Sequence, residues 1–184
     1  MEYIIYFKKM KPKPSVNFVL LGTLLSGPKH GYEMIQFIDS HLENVWHISN
    51  SQLYVLLKRL ENDRLVTARM EHQESRPSKR VFDLTDTGKK LLLNWLHSPV
   101  LHVREFRMEF IAKLFFFHYF SINGSKGLID RQIHYFEQIR EKVRFHTLSE
   151  KRPFDRLVFE FKADHMTHLV DWLSNSAKPF FNRI

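Results

Sequence analysis

The chain has 184 residues, 43% of them hydrophobic and 26% charged, with a formal net charge of +8. That length holds one large domain or two small ones, and the apolar share is that of a folded protein rather than a disordered coil. No cysteine is present, which excludes disulfides, thiolate chemistry and cysteine-bound metals.

The excess of positive charge suits a polyanionic partner but does not locate one. Lys and Arg outnumber Asp and Glu by 14 to 10 in residues 1–98, and again by 14 to 10 in residues 99–184. Residues 2–7, EYIIYF, are too few for a signal peptide, and no segment approaches the ~18 apolar residues of a membrane span. A cytoplasmic protein with no membrane partner is therefore expected. KKMKPKP (8–14) completes a basic N-terminal arm over 1–14, within which Met10 would serve as a start as well as Met1.

Ser15 is placed to cap a short apolar helix, VNFVLLGTLL, and SGPKHG (26–31) is a turn by composition. YEMIQFIDSHL repeats apolar residues at 34, 35, 38 and 42, a helical period, and a third helix begins near Ser51. VTARMEH (66–72) alternates as a half-buried strand does, QESRPSKR is a polar basic loop, and VFDLT (81–85) is a second strand. Thr85 can cap DTGKKLLLNWL, with Asp86 favourable at that helix's N-terminus. Ser98 and Pro99 mark a domain boundary between 15–98 and 99–184.

Beyond it the pattern is all helical. Phe106, Phe110, Leu114 and Phe117 share one face of 104–120, and Ile129, Ile133, Phe136 and Val143 form a stripe along 126–150. Phe154, Leu157, Val158, Phe161 and Trp172 align along 154–175. A helix of roughly 25 residues spans about 37 Å. Narrow stripes on long helices would bury more surface against a second copy, which predicts a homodimer through 99–184.

On the third helix, Leu53, Leu56, Leu57 and Leu60 gather on one side at 100° per residue. Opposite them lie Ser51, Val55, Lys58 and Asn62, with Arg59 beside and Gln52 at the edge. A lone charged face is usually just solvated, but here a basic hairpin follows at once. The order of elements predicts a mainly α protein: a winged helix-turn-helix of three helices and a hairpin, then a long-helix dimerisation domain. Double-stranded DNA is the expected partner. Ser49, Asn50, Ser51 and Gln52 are the candidates for base contact, and Tyr54, Lys58, Arg59, Arg76, Lys79 and Arg80 for phosphate.

LLGTLLSGPKHGYEM (20–34), WHISNSQLYVLLKRLENDRLVT (46–67) and SRPSKRVFDLTDTGKKLLLNWL (75–96) together resemble the PadR family of transcriptional regulators. The tail from VREFRMEFIAKLFF (103–116) is similar to the longer, AphA-like members. The resemblance implies a homodimeric DNA binder, a repressor on a pseudo-palindromic operator, with the helix around Tyr54 facing DNA and the hairpin as its wing. Two positions depart from the family's habit of Gly and Pro: Ser51 and Val55, both on the outward face. His30 and Gly31 match the turn into the second helix, where Gly31 serves a tight backbone position, and Trp46 reads as a core anchor.

His165 and His168 fall on the stripe of Phe161 and Trp172, and with no evident third ligand they read as packed imidazoles rather than a metal site. If that seam is the dimer interface, protonation near pH ~6 would loosen it. Glycine-rich phosphate loops, nucleophile elbows and HExxH are all missing, so neither catalysis nor a cofactor is expected. Two other functions fit the same pattern. One is a winged-helix adaptor for proteins; the other is a regulator whose tail aromatics hold a small-molecule effector.

Overall fold

The computed structural model describes residues 15–73 and 76–183. The basic arm of 1–14 lies outside them. The chain divides into two compact units, one running up to Leu96 and including Arg107–Ala112, the other formed by His97–Phe106 and the chain from Lys113 onward.

In the first unit, α1 (Ser15–Thr23) has every residue from Asn17 to Thr23 buried, as a helix apolar on all sides must. Ser15 does not act as expected. It sits within the helix, and its hydroxyl donates to Glu109 Oε2 at 2.6 Å. The Asn17 amide is buried with no hydrogen-bond partner among the described residues, which costs about 1–3 kcal/mol. A 3-10 turn (Leu24–Ser26) and Gly27 at φ 111° lead into β1 (Lys29–His30), a strand of two residues where composition indicates only a turn.

Next come α2 (Gly31–His41) and α3 (Asn50–Asn62), whose Leu53, Leu57 and Leu60 are fully buried. Helix α3 ends in a Schellman motif: the Leu65 N–H reaches Leu60 O at 2.9 Å and the Arg64 N–H reaches Glu61 O at 2.9 Å. Arg64 takes the left-handed position at φ 57°, normally a place for glycine.

The hairpin is longer than its sequence suggests. Strand β2 (Val66–Gln73) pairs antiparallel with β3 (Arg76–Leu84), and the sheet order is β1-β3-β2. The basic segment expected as a loop is thus mostly strand, with Met70 opposite Arg80, Glu71 opposite Lys79 and Gln73 opposite Arg76. Pro77 is compatible with this because β1 pairs only with Val81 and Phe82, leaving one edge of β3 free farther out.

Helix α4 (Asp86–His97) starts where Thr85 Oγ1 accepts the Gly88 N–H at 2.9 Å, the cap its sequence predicts. That hydroxyl also donates to Leu65 O at 3.0 Å. Gly88 is required here, since a Cβ would lie 2.1 Å from Leu65 O. Phe18 and Trp95 stack at 4.9 Å, nearly parallel, and close the unit's core.

The second unit is helical: α5 (Val103–Tyr119), α6 (Ser125–Ser149), α7 (Pro153–Trp172), a π turn (Leu173–Ala177) and α8 (Lys178–Asn182). Helix α5 is shared between the units; its Phe106, Leu114 and Phe117 are buried, as is Phe110. It also closes with a Schellman motif, with Ser121 at φ 50° and the Ile122 N–H on Phe117 O at 3.0 Å.

Residues 97–101, which read as a boundary, are strapped down within this unit. Gln132, fully buried, accepts the Val100 N–H at 2.6 Å and donates to Val100 O at 3.0 Å. Lys113, also fully buried, donates to Ser98 O at 2.7 Å, Arg131 to His97 O at 2.9 Å, and Tyr135 to Leu101 O at 2.9 Å.

Helices α6 and α7 pack on each other. The side of α7 that is buried carries Ala163, Met166 and Val170. The stripe expected to pack is largely solvent-facing in the single chain: Phe154 is 73% exposed, Leu157 58% and Phe161 70%. Trp172 at its far end is half-buried, beside Phe106.

Candidate nucleic-acid interface

Helix α3 is fixed from inside by its three buried leucines, which turns the opposite side outward. Ser51, Val55, Lys58, Arg59 and Asn62 are all exposed, as are Ser49, Asn50, Gln52 and Tyr54. Val55 is 62% exposed, an apolar side chain displayed on a face that nothing in the described chain covers.

The start of α3 is a capping box. Ser49 Oγ accepts the Gln52 N–H at 3.3 Å, and Gln52 Oε1 accepts the Ser49 N–H at 3.2 Å. Ser49 and Gln52, candidates for base contact, therefore already hold the helix terminus, while Ser49 Oγ lies 3.1 Å from Ser51 Oγ. Asn50 and Ser51 lead the exposed first turn.

Tyr54 owes its position to Gly31. A Cβ at residue 31 would lie 3.0 Å from the Tyr54 hydroxyl oxygen and 3.1 Å from Leu53 Cδ2. Gly31 has no left-handed φ; the closeness there is of side chains, with the Tyr54 ring and Leu53 lying against the start of α2. Trp46, half-buried, donates its indole N–H to Met108 O at 3.3 Å.

On the wing, Lys79 and Arg80 are exposed, and Arg76 falls on the outer part of β3 opposite Gln73. Arg80 is engaged already. Its Nη2 lies 2.6 Å from both carboxylate oxygens of Glu61, and its guanidinium sits over the Phe82 ring, 5.3 Å from the centroid. Such a surface pair is worth about 0–1 kcal/mol, too little to be needed for folding. His30 joins the same corner, with Nδ1 3.4 Å from Arg80 O and Nε2 3.5 Å from Glu71 Oε2.

Sequence reasoning passed over Glu61. Its place between Lys58 and Asn62 was visible, but its partner depends on the hairpin register, which composition does not give. His165 and His168 are both exposed, with the His165 ring stacked on Phe161 at 6.1 Å. Among the described residues no group of three His, Asp or Glu could hold a metal ion, and no helix is long and apolar enough to cross a membrane.

Residues 20–94 match the family model described as the transcriptional regulator PadR-like family. The chain is 29% identical over 120 residues to the negative transcriptional regulator PadR of Bacillus subtilis, across 64% of this chain and 65% of that protein. It is 30% identical over 85 residues to a probable transcriptional regulator of Mycobacterium tuberculosis, across 46% of this chain and 45% of that one. The chain thus spans less than two thirds of the curated relatives it matches. Among solved structures it is similar to Bacillus subtilis PadR in complex with operator DNA, at 24% identity and a TM-score of 0.46, covering 89% of this chain and 97% of that one.

Proposed function

From the PadR-like domain that residues 20–94 form, we propose that the chain is a double-stranded DNA-binding transcriptional regulator, acting as a homodimeric repressor. The observation that carries the reading is the outward face of α3, where Ser51, Val55, Lys58 and Asn62 stand exposed beside a basic two-stranded wing. A helix presents such a face to the major groove, with its first turn at the base edges and its cations at phosphates. In this reading residues 15–98 bind DNA and residues 99–184 pair two copies. Asn50 and Ser51 then read bases from the first turn, Tyr54, Lys58, Arg59 and Lys79 contact phosphate, and Val55 meets a thymine methyl or a sugar edge.

The exposed Phe145, Leu148, Leu157 and Phe161 on α6 and α7 support pairing of two copies, because so many large apolar side chains on two adjoining helices are seldom left to water. A dimer would present two α3 helices to successive major-groove faces about 34 Å apart over a pseudo-palindromic site. Selection of duplexes from a random pool with the full-length protein tests the reading. Enrichment of a two-fold symmetric motif with half-sites about one helical turn apart is the expected result, and a pool that stays random would overturn it.

A further inference from the structure

We propose that Glu61 withholds Arg80 from the nucleic-acid backbone, and so sets how many phosphates the winged domain neutralises. The inference rests on the DNA-binding reading above. Arg80 stands on β3 among the basic wing residues, yet its guanidinium is held on two sides: Nη2 sits 2.6 Å from each Glu61 oxygen, and the cation lies over Phe82. Phe82 is a core residue at 1% exposure, so the ring beneath the guanidinium is anchored. The strand at Arg80 is held as well, with His30 against its carbonyl and the His30 N–H bound by Glu33 Oε2 at 2.6 Å.

Glu61 belongs to the last turn of the exposed helix, next to Asn62 and one turn from Lys58. If Arg80 left it for a phosphate, a bare carboxylate would remain beside a polyanion, and the gain would be repelled away. Treated as a unit, Glu61 and Arg80 carry no net charge. Lys58, Arg59 and Lys79 each bring a cation that can release a counterion from DNA; the pair does not. Its effect is restraint: sequence-independent grip is reduced on every duplex alike while base contacts are untouched, so a larger share of the affinity comes from base readout. Glu61 is in this sense a positioning residue for Arg80.

The test is titration of a mixed-sequence duplex by fluorescence anisotropy over a series of salt concentrations, using the full chain and its variants. Glu61→Gln should steepen the log–log salt slope by ~0.9 and tighten non-specific binding about fivefold near ~0.15 M salt. Glu61→Gln combined with Arg80→Ala should bring the slope back to within ~0.3 of the unaltered protein, and Glu61→Asp, which keeps the charge, should leave it there. Lys79→Ala should flatten the slope by ~0.9. A Glu61→Gln slope equal to that of the unaltered protein overturns the proposal, as does a double variant whose slope stays as steep as that of Glu61→Gln alone. Either result leaves the DNA-binding reading standing. Absence of any salt-dependent duplex binding by the unaltered chain overturns both.

Discussion

Gly88 and Arg64 occupy two backbone positions of opposite character, one too crowded for a side chain and the other a left-handed helix end filled by one. At Gly88 a methyl group would collide with a backbone oxygen that is itself fixed by the Thr85 hydroxyl and the Thr85 N–H. Gly88→Ala is therefore expected to cost more than ~2 kcal/mol, read as a lower urea midpoint with unchanged slope. Arg64 holds a left-handed conformation that costs an L-residue about 1–2 kcal/mol, while glycine gives back roughly 0.5–1 kcal/mol through its freer unfolded chain. Arg64→Gly should accordingly raise stability by up to ~1 kcal/mol, and a lower melting temperature would contradict that account. Neither role was legible in the sequence. Gly88 looks like an ordinary weak point in a helix, and helix ends marked by Arg64 and Ser121 carry none of the glycine signal by which such ends are read.

At the scale of the element, α3 joins two duties in one turn. Ser49 and Gln52 close its N-terminus, while Ser51 stands outside that reciprocal pair, its exposed hydroxyl sharing one hydrogen bond with Ser49 Oγ. Ser49→Ala should lower unfolding free energy by about 1 kcal/mol, whereas Ser51→Ala should leave it within ~0.5 kcal/mol and change which duplexes are preferred. Thermal melts with binding profiles on the same two variants separate the duties; equal destabilisation by both would deny the separation. The helices were readable because their apolar residues recur at a 3.6 period and Thr85 marks the start of α4; α3, expected from near Ser51, begins at Asn50 behind the cap of Ser49. The sheet was read less well. A strand as short as β1 shows no alternation, and the basic outer half of β3 lacks the apolar residues by which strands announce themselves, being held instead by backbone pairing with β2.

For the molecule as a whole, an even distribution of charge tells little, and exposed apolar surface tells more. Phe161 and Leu148 are 70% and 87% exposed in the single chain. If two copies pair as proposed, Leu148→Glu with Phe161→Glu should shift the protein from dimer to monomer in sedimentation velocity while leaving its circular dichroism unchanged, because neither side chain supports the core of its own unit. A dimer that survives both charges would move the pairing surface elsewhere. The apolar stripe on 154–175 was legible from spacing alone. Spacing is the same whether a stripe meets a neighbour in its own chain or in another, and the burial of Ala163, Met166 and Val170 shows which side of α7 its own chain covers.

The strap across residues 97–101 has a consequence measured in time. A boundary that reads as Ser-Pro ordinarily trades its amide hydrogens with water as fast as a frayed end. Here the Val100 N–H is sealed under Gln132 at 2.6 Å and the residue itself is 1% exposed. In deuterated water its amide should hold its proton alongside the slowest amides of α6, and Gln132→Ala should release it by orders of magnitude. Residues 97–101 would then be among the last of their own unit to exchange.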